Sequence, residues 1–240
     1  MNLGSLMQDG TAVGPHQCMM ICDSFMMLQG VTEWYQLACE IMLQVYLRTR
    51  ILCMLVVAPG ASFKNGMYDA VFHLVRQCVV APEALVWIAM GNDIFPPGDK
   101  RIQRNFWMVD DSIRKLFRRT RVFCRDQYLI FGGTSNLWMY HNTMDKMHLR
   151  VYDAMVTDLV EIVRNMGYPC MTGYGAFNGV EVVDNVGHVS EASKEIITEG
   201  LCIVAKWAMV TPRQRGLVIL RSMMRRWMYI VRSKLRLSRL

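Results

Sequence analysis

Three polar side chains, far apart in the chain, have the types that acyl-transfer chemistry needs. Ser24 and Asn92 each come shortly after a run of apolar residues, and His188 comes shortly before a helix-length segment. A serine attacks an acyl carbon only if a base removes its proton and hydrogen-bond donors stabilise the oxyanion. His188 is the candidate base, and the side-chain amide of Asn92 is a candidate donor to the oxyanion.

Two further residues complete the candidate site. Gly60 follows the apolar run 51–58, and its backbone N–H is a candidate oxyanion donor together with that of Ser24. Asp184 lies four residues before His188 and is the nearest carboxylate that precedes it in the chain. In open α/β sheets, ligands bind beyond the carboxyl ends of the strands, so we expect these segments to converge there.

Short apolar runs alternate with helix-length segments along the chain. Strands are predicted over 18–22, 51–58, 85–90 and 128–131, with a weaker fifth strand within 169–174. Helices are predicted over 32–48, 68–78, 110–119 and 147–166, and a last one opens at Ser190 with Glu191 in its first turn. Continuous apolar strands that alternate with helices favour a parallel sheet covered on both faces.

The order and spacing of the polar segments resemble the SGNH (GDSL-type) hydrolase family over roughly residues 16–208. The segments that carry the resemblance are Cys22-Asp23-Ser24, Gly60, Met90-Gly91-Asn92-Asp93 and Asn185-Val186-Gly187-His188. The resemblance implies that Ser24 is the nucleophile, Gly60 and Asn92 are oxyanion donors, and His188 is the base. It also implies an α/β fold, a flavodoxin-like three-layer α/β/α sandwich with a central parallel sheet of about five strands.

Two departures from the family pattern concern glycine positions. Cys22 stands where the family has the glycine of its first segment, and cysteine is small enough to be tolerated there. Met90 stands where the family has the first glycine of its third segment, although Gly91 beside it restores backbone freedom.

The third departure concerns the carboxylate of the triad. Asn185 occupies the position three before His188, and Asp184 is one residue further away. An amide orients histidine but does not stabilise imidazolium, and such a change in a serine protease costs on the order of 10⁴ in rate. Three alternatives follow: Gly187 lets the loop bulge so that Asp184 takes the role, the site works as a Ser–His dyad, or the chain is inactive.

Composition describes an ordinary globular chain of 240 residues, 52% hydrophobic and 20% charged. Its eight cysteines form no C-x-x-C pair, so we expect buried free thiols in a reducing compartment, no metal site and no cofactor.

Residues 1–14 lack the basic and apolar regions of a signal peptide, and no apolar stretch is long enough to span a membrane. These features predict a soluble, cytoplasmic protein. We divide the chain into an extension (1–15), a hydrolase-like domain (16–208) and a basic tail (209–240).

The net charge of +7 is concentrated at the end of the chain. Residues 213–240 hold nine Arg or Lys and no Asp or Glu, whereas the remaining chain has 18 basic and 20 acidic residues. The segment from 216 onward has the spacing of a basic amphipathic helix, which suits an anionic membrane surface or nucleic-acid phosphates. Two structural alternatives are a terminal helix that packs on the domain with a solvated basic face, and an added edge strand over 217–220.

The sequence therefore predicts a serine hydrolase that cleaves a small-molecule carboxylic ester through an acyl-enzyme. The first alternative is a catalytically degenerate member of the fold that binds a ligand or partner without turnover, which Asn185 and Met90 favour. The second is a nucleic-acid-associated module, for instance from a mobile element, in which the basic tail supplies the affinity.

Overall fold

Five short strands lie side by side and all run in the same direction. In a computed structural model of the protein they are β1 (Cys18–Cys22), β2 (Cys53–Val57), β3 (Ala84–Ala89), β4 (Asp126–Phe131) and β5 (Cys170–Thr172). The structure describes residues 17–23, 34–78, 80–89, 93, 107–131, 146–177 and 191–210. The strand order is β2-β1-β3-β4-β5 with every pairing parallel, which confirms the predicted α/β class and is the flavodoxin-like order.

Helices connect the strands, as parallel pairing requires. They are α1 (Trp34–Thr49), α2 (Met67–Cys78), α3 (Trp107–Thr120), α4 (Lys146–Asn165), the short α5 (Tyr174–Phe177) and α6 (Lys194–Met209). A single 3₁₀ turn at Glu191–Ser193 leads directly into α6, so the helical segment begins beside the predicted start, and Ser190 itself lies outside the described residues. Ser193, at the junction of this turn with α6, has helical angles (φ −80°, ψ −3°) and makes no capping hydrogen bond.

The sheet is covered on both faces, which makes the three-layer sandwich. Val86 of β3 and Tyr128 of β4 are partners in register, so the side chain of Trp87 points to the opposite face from that of Tyr128. The ring centroids of Trp87 and Phe117 of α3 are 6.3 Å apart, and those of Tyr128 and Trp207 of α6 are 5.3 Å apart. Hence α3 and α6 pack on opposite faces, and the strands between them are buried and almost wholly apolar.

A glycine allows α5, which follows β5, to pack tightly against α6. A Cβ atom at Gly200 would lie 2.4 Å from a ring carbon of Phe177 and 2.8 Å from the carbonyl oxygen of Ala176. No side chain fits at such distances, so this contact between the two helices requires glycine.

None of the helices in the ranges described above is both long enough and apolar enough to cross a membrane. The predicted N-terminal extension and nearly all of the basic tail lie outside the described residues. The domain bounds, the cytoplasmic location and the role of the tail therefore stay predictions.

Candidate functional site

The carboxyl ends of β1, β2 and β3 lie at one level and form one edge of the sheet. Cys22, the last residue of β1, is in register with Val57 of β2 and with Ile88 of β3. Backbone hydrogen bonds extend this pairing one residue further, since the Asp23 N–H donates to the Ile88 oxygen (3.3 Å) and the Ala58 N–H donates to the Cys22 oxygen (2.7 Å). The segments that follow these three strands therefore leave the sheet close together.

One of the five predicted site residues, Gly60, lies in the described part of the chain. Ser24, Asn92, Asp184 and His188 lie outside the described residues, and their roles stay predictions. For two of them the structure describes a chain neighbour at the carboxyl edge: Asp23 directly precedes Ser24, and Asp93 directly follows Asn92.

Gly60 lies in the β2–α2 loop (residues 58–66) and has a left-handed backbone conformation, with φ +71°. A Cβ atom there would meet no atom within 4 Å, so the backbone conformation rather than lack of space favours glycine. The Ala61 N–H donates to the Ala58 oxygen at 3.0 Å and closes the turn that contains Gly60. Among the described residues, no group accepts a hydrogen bond from the Gly60 N–H.

The exposed side chain of Asn65 braces the β2–α2 loop through hydrogen bonds to backbone groups. Its Nδ2 donates to the Gly60 oxygen (2.9 Å), and its Oδ1 accepts from the backbone N–H of Ser62 (3.1 Å) and of Met67 (3.0 Å). Gly66, the next residue, also has a positive φ of +71°, as Asn-Gly turns commonly require. The carbonyl of the Gly60–Ala61 peptide is therefore held by a side chain five residues away.

A second brace comes from Asp93, beyond the end of β3. The backbone N–H groups of Phe63 and Lys64 donate to the two carboxylate oxygens of Asp93, each at 3.0 Å. Asp93 is only 2% exposed, and this burial raises the pKa of its carboxyl to about 6. The two backbone hydrogen bonds and the charge of Lys64 oppose that rise, because they favour the ionised form.

Two neutral groups lie beside the carboxylates at this edge. The buried Tyr68 hydroxyl donates to the Ile88 oxygen at 3.1 Å. Its pKa lies well above the usual range, mainly because the hydroxyl is buried and to a smaller extent because of the negative charges of Asp23 and Asp93. Burial, followed by the charge of Asp23, likewise raises the pKa of the Cys22 thiol. Cys22 is therefore a protonated, buried thiol and not a nucleophile, although it lies two residues before Ser24.

Sequence reasoning assigned no role to Asp93, Asn65 or Tyr68. Asp93 belongs to one of the segments that carry the family resemblance, and the Asn65-Gly66 dipeptide is a turn signal, so both had a sequence signal. Tyr68 had none, because its partner lies on a strand twenty residues away. Within the described ranges, no group of three or more His, Cys, Asp or Glu side chains is arranged to hold a metal ion.

Comparison with solved structures identifies esterases and acylhydrolases with this fold. The acetylxylan esterase Axe2 from Geobacillus stearothermophilus is 13% identical, with a TM-score of 0.53 over 78% of this chain and 92% of that chain. A carbohydrate esterase family 2 enzyme from Corynascus thermopiles (Myceliophthora fergusii) is 15% identical, with a TM-score of 0.56 over 83% of this chain and 68% of that one. The lipase/acylhydrolase from Enterococcus faecalis is 12% identical, with a TM-score of 0.53 over 80% and 95% of the two chains.

Neither a protein-family model nor a curated protein sequence matches the chain. At 12–15% identity, the structural likeness establishes the fold and says nothing of individual catalytic residues. The class that it defines is the three-layer α/β fold that esterases and acylhydrolases use.

Proposed function

We propose that the protein is an SGNH-type serine hydrolase that cleaves a carboxylic ester through an acyl-enzyme at Ser24. In this proposal His188 is the general base, Asp184 orients His188, and Gly60 and Asn92 donate to the oxyanion. The observation that carries it is the shared carboxyl edge of β1, β2 and β3. Each of these strands is followed within four residues by a segment of the predicted site, on the fold of known esterases.

The loop that contains Gly60 supports the oxyanion role. A backbone N–H stabilises an oxyanion only if its direction is set before the reaction, because reorientation during the reaction costs the energy that the hydrogen bond supplies. The Gly60 carbonyl is held by Asn65, and the turn is closed between Ala58 and Ala61. The Gly60 N–H belongs to this braced loop and has no acceptor among the described residues.

The reaction follows from these assignments. His188 removes the proton of the Ser24 hydroxyl as its oxygen bonds to the acyl carbon, and the negative charge moves to the former carbonyl oxygen. Gly60 and Asn92 donate hydrogen bonds to that oxygen. The intermediate collapses, the alcohol leaves with the proton from His188, and the acyl group stays on Ser24. Water activated by His188 then releases the acid and restores the serine.

A fluorophosphonate probe tests the proposal without knowledge of the substrate. We expect covalent labelling of the full chain at Ser24 and hydrolysis of p-nitrophenyl acetate, a small activated ester. The names of the neighbours include both carbohydrate esterases and a lipase/acylhydrolase, so a small acetyl ester avoids a choice between these substrate types. Ser24→Ala should abolish both signals while the circular dichroism spectrum stays that of the wild type.

Ser62 is the control serine for the labelling experiment, because it lies in the same region of the fold and the probe should not label it. Its hydroxyl oxygen accepts a hydrogen bond from the Asn65 N–H at 3.1 Å, so it has a structural role in the β2–α2 loop. Probe mapped to Ser62 or Ser135, or equal labelling of the Ser24→Ala variant, would overturn the assignment of the nucleophile.

A second candidate function is ligand or partner binding by a degenerate site. The specific observation in its favour is Asn185, which stands in the family's carboxylate position. A folded wild-type chain that neither labels with the probe nor hydrolyses the ester, at any pH from 6 to 9, would favour this candidate.

The basic tail extends this second candidate to nucleic acid. Nine basic and no acidic residues over 213–240 predict binding that weakens steeply with salt. Fluorescence anisotropy with a labelled oligonucleotide, at 50 and 200 mM salt, tests it with the full chain and with a chain that ends at residue 212. Equal binding by both chains, or binding to anionic vesicles only, would contradict a nucleic-acid role for the tail.

A further inference from the structure

The carboxylate of Asp93 joins two segments that are far apart in sequence. Asp93 follows Asn92 directly, and its two oxygens accept hydrogen bonds from Phe63 and Lys64, which lie 30 and 29 residues earlier in the chain. Phe63 and Lys64 are in the β2–α2 loop, three and four residues after Gly60. One side chain therefore joins the loop of one predicted oxyanion donor to the segment that carries the other.

The hydrogen bonds from Phe63 and Lys64 stabilise the ionised carboxylate of Asp93 in a buried position that disfavours charge. A buried carboxylate is stable only if hydrogen bonds or opposite charge compensate its lost hydration. Each oxygen of Asp93 has a backbone N–H at 3.0 Å, and the half-buried Lys64 adds a positive charge nearby. The Tyr68 hydroxyl donates to the Ile88 oxygen, and Asp23 adds a second negative charge on this side. Near neutral pH the carboxylate is ionised and accepts both N–H groups, since its pKa is about 6.

We propose that Asp93 is a positioning residue that fixes the β2–α2 loop, and with it the predicted oxyanion donor Gly60, beyond the end of β3. This inference rests on the proposed function. Asp93 does not touch the reacting atoms; it acts through the β2–α2 loop. If the hydrogen bonds from Phe63 and Lys64 are lost, the loop can move relative to the end of β3, and misplacement of about 1 Å at a reacting centre can cost about 10²-fold in rate.

The test compares Asp93→Ala and Asp93→Asn with a matched control. Alanine removes both acceptors, whereas asparagine keeps one acceptor oxygen and turns an N–H group toward the other donor. We expect the kcat for p-nitrophenyl acetate to fall about 10- to 10²-fold in Asp93→Ala and less in Asp93→Asn, with KM changed less than about threefold, because ground-state binding does not use the oxyanion donors. Amide hydrogen exchange at Phe63 and Lys64 should become faster in both variants.

Thr120→Val is the control, because it removes a buried hydrogen bond at the opposite end of the sheet. Thr120 is fully buried and donates to the Gln127 side chain. We expect this variant to lose stability but to keep the wild-type kcat and the slow exchange of Phe63 and Lys64. An equal fall of kcat in Thr120→Val would show that general destabilisation accounts for the effect and would overturn the inference.

The two readouts separate this inference from the proposed function. Ser24-dependent turnover that is unchanged by both Asp93 variants would overturn the positioning role alone. Exchange at Phe63 and Lys64 that is equally fast in the wild type would also overturn it. If Asp93 slows exchange but the wild type has no Ser24-dependent turnover, the proposed function and the oxyanion role are both wrong, and Asp93 only holds the loop.

Discussion

The two ends of the parallel sheet bury polar groups of different kinds. At the carboxyl edge, Asp23 and Asp93 are 3% and 2% exposed and are ionisable. Near the amino ends of the strands, Thr120 and Gln127 are 0% and 2% exposed and are neutral. The degree of burial is the same, but the free-energy cost of burial differs. A buried carboxylate needs both hydrogen bonds and opposite charge to replace its hydration, whereas a buried hydroxyl or amide needs hydrogen bonds alone.

The network near the amino ends is satisfied by neutral partners. The Thr120 hydroxyl donates to the Gln127 Oε1 (2.5 Å), the Trp87 indole N–H donates to the same oxygen (3.3 Å), and the Gln127 Nε2 donates to the Phe117 carbonyl (2.9 Å). Each group joins a helix or strand to its neighbour. This is the arrangement expected where the only task is to hold the core together.

At the carboxyl edge the hydrogen bonds instead hold a loop. Asp93 and Asn65 both bind backbone groups of the β2–α2 loop, and Gly60 in that loop has the left-handed backbone conformation that favours glycine. Buried charge and a braced loop at the same edge are typical of sites where function limits stability. The comparison predicts that substitutions at the carboxyl edge change turnover, whereas substitutions at the amino end change stability alone.

The largest effect should come from the carboxylate of the triad. We expect Asp184→Ala to lower kcat by about 10⁴-fold, because His188 then lacks a charge that stabilises its imidazolium form. Asn185→Ala should cost far less. A crystal structure should place an Asp184 oxygen about 2.6–3.2 Å from a ring nitrogen of His188. A sharp rise in activity of Asn185→Asp would instead show that Asp184 is not the partner and that the natural chain is a weakened enzyme.

The next largest effect should come from the predicted oxyanion donor. Asn92→Ala should lower kcat by about 10²–10³-fold with a smaller change in KM, because the amide would act in the transition state. Steady-state kinetics on p-nitrophenyl acetate measures this. A change confined to KM would make Asn92 a substrate contact and would remove it from the oxyanion hole.

The pH dependence of stability tests the buried charge itself. Burial raises the pKa of Asp93 from its ordinary 3.8 to about 6, so between these values the unfolded chain releases a proton that the folded chain keeps. The free energy of unfolding of the wild type, relative to Asp93→Asn, should therefore fall by about 2 kcal/mol as the pH rises from about 4 to about 6. Urea unfolding of both proteins at several pH values measures the difference. A difference that rises with pH would show that the carboxylate is stabilised rather than strained by its surroundings.

The smallest effect should come from the amino end. Thr120→Val should lower the free energy of unfolding by about 1–2 kcal/mol, because the Gln127 Oε1 then keeps only the longer hydrogen bond from Trp87. Urea unfolding checks the stability, and kcat should equal that of the wild type. A large loss of turnover here would break the distinction between the two ends of the sheet.

Local pattern was enough to predict the elements of the fold. The apolar runs predicted the five strands to within about two residues at most ends, because strands buried on both faces are continuously apolar. The helix over 68–78 is found as Met67–Cys78 for a similar reason, since its buried residues recur at helical spacing. The α-helix α6 begins at Lys194 rather than at Glu191, because the first turn of this helical segment is 3₁₀, which the pattern of residue types does not distinguish from α-helix.

The order of residues along the chain sets which segment follows each strand, and the parallel pairing of β1, β2 and β3 brings their carboxyl ends to one edge. The pattern of residues did not predict that the carboxylate of Asp93 meets Phe63 and Lys64, or that Tyr68 reaches Ile88. The distance along the chain between the partners explains this division. Periodicity and turn signals act over a few residues, whereas these contacts join residues 20 to 30 apart or depend on burial by other elements. Packing of whole elements creates them, and no local signal encodes them.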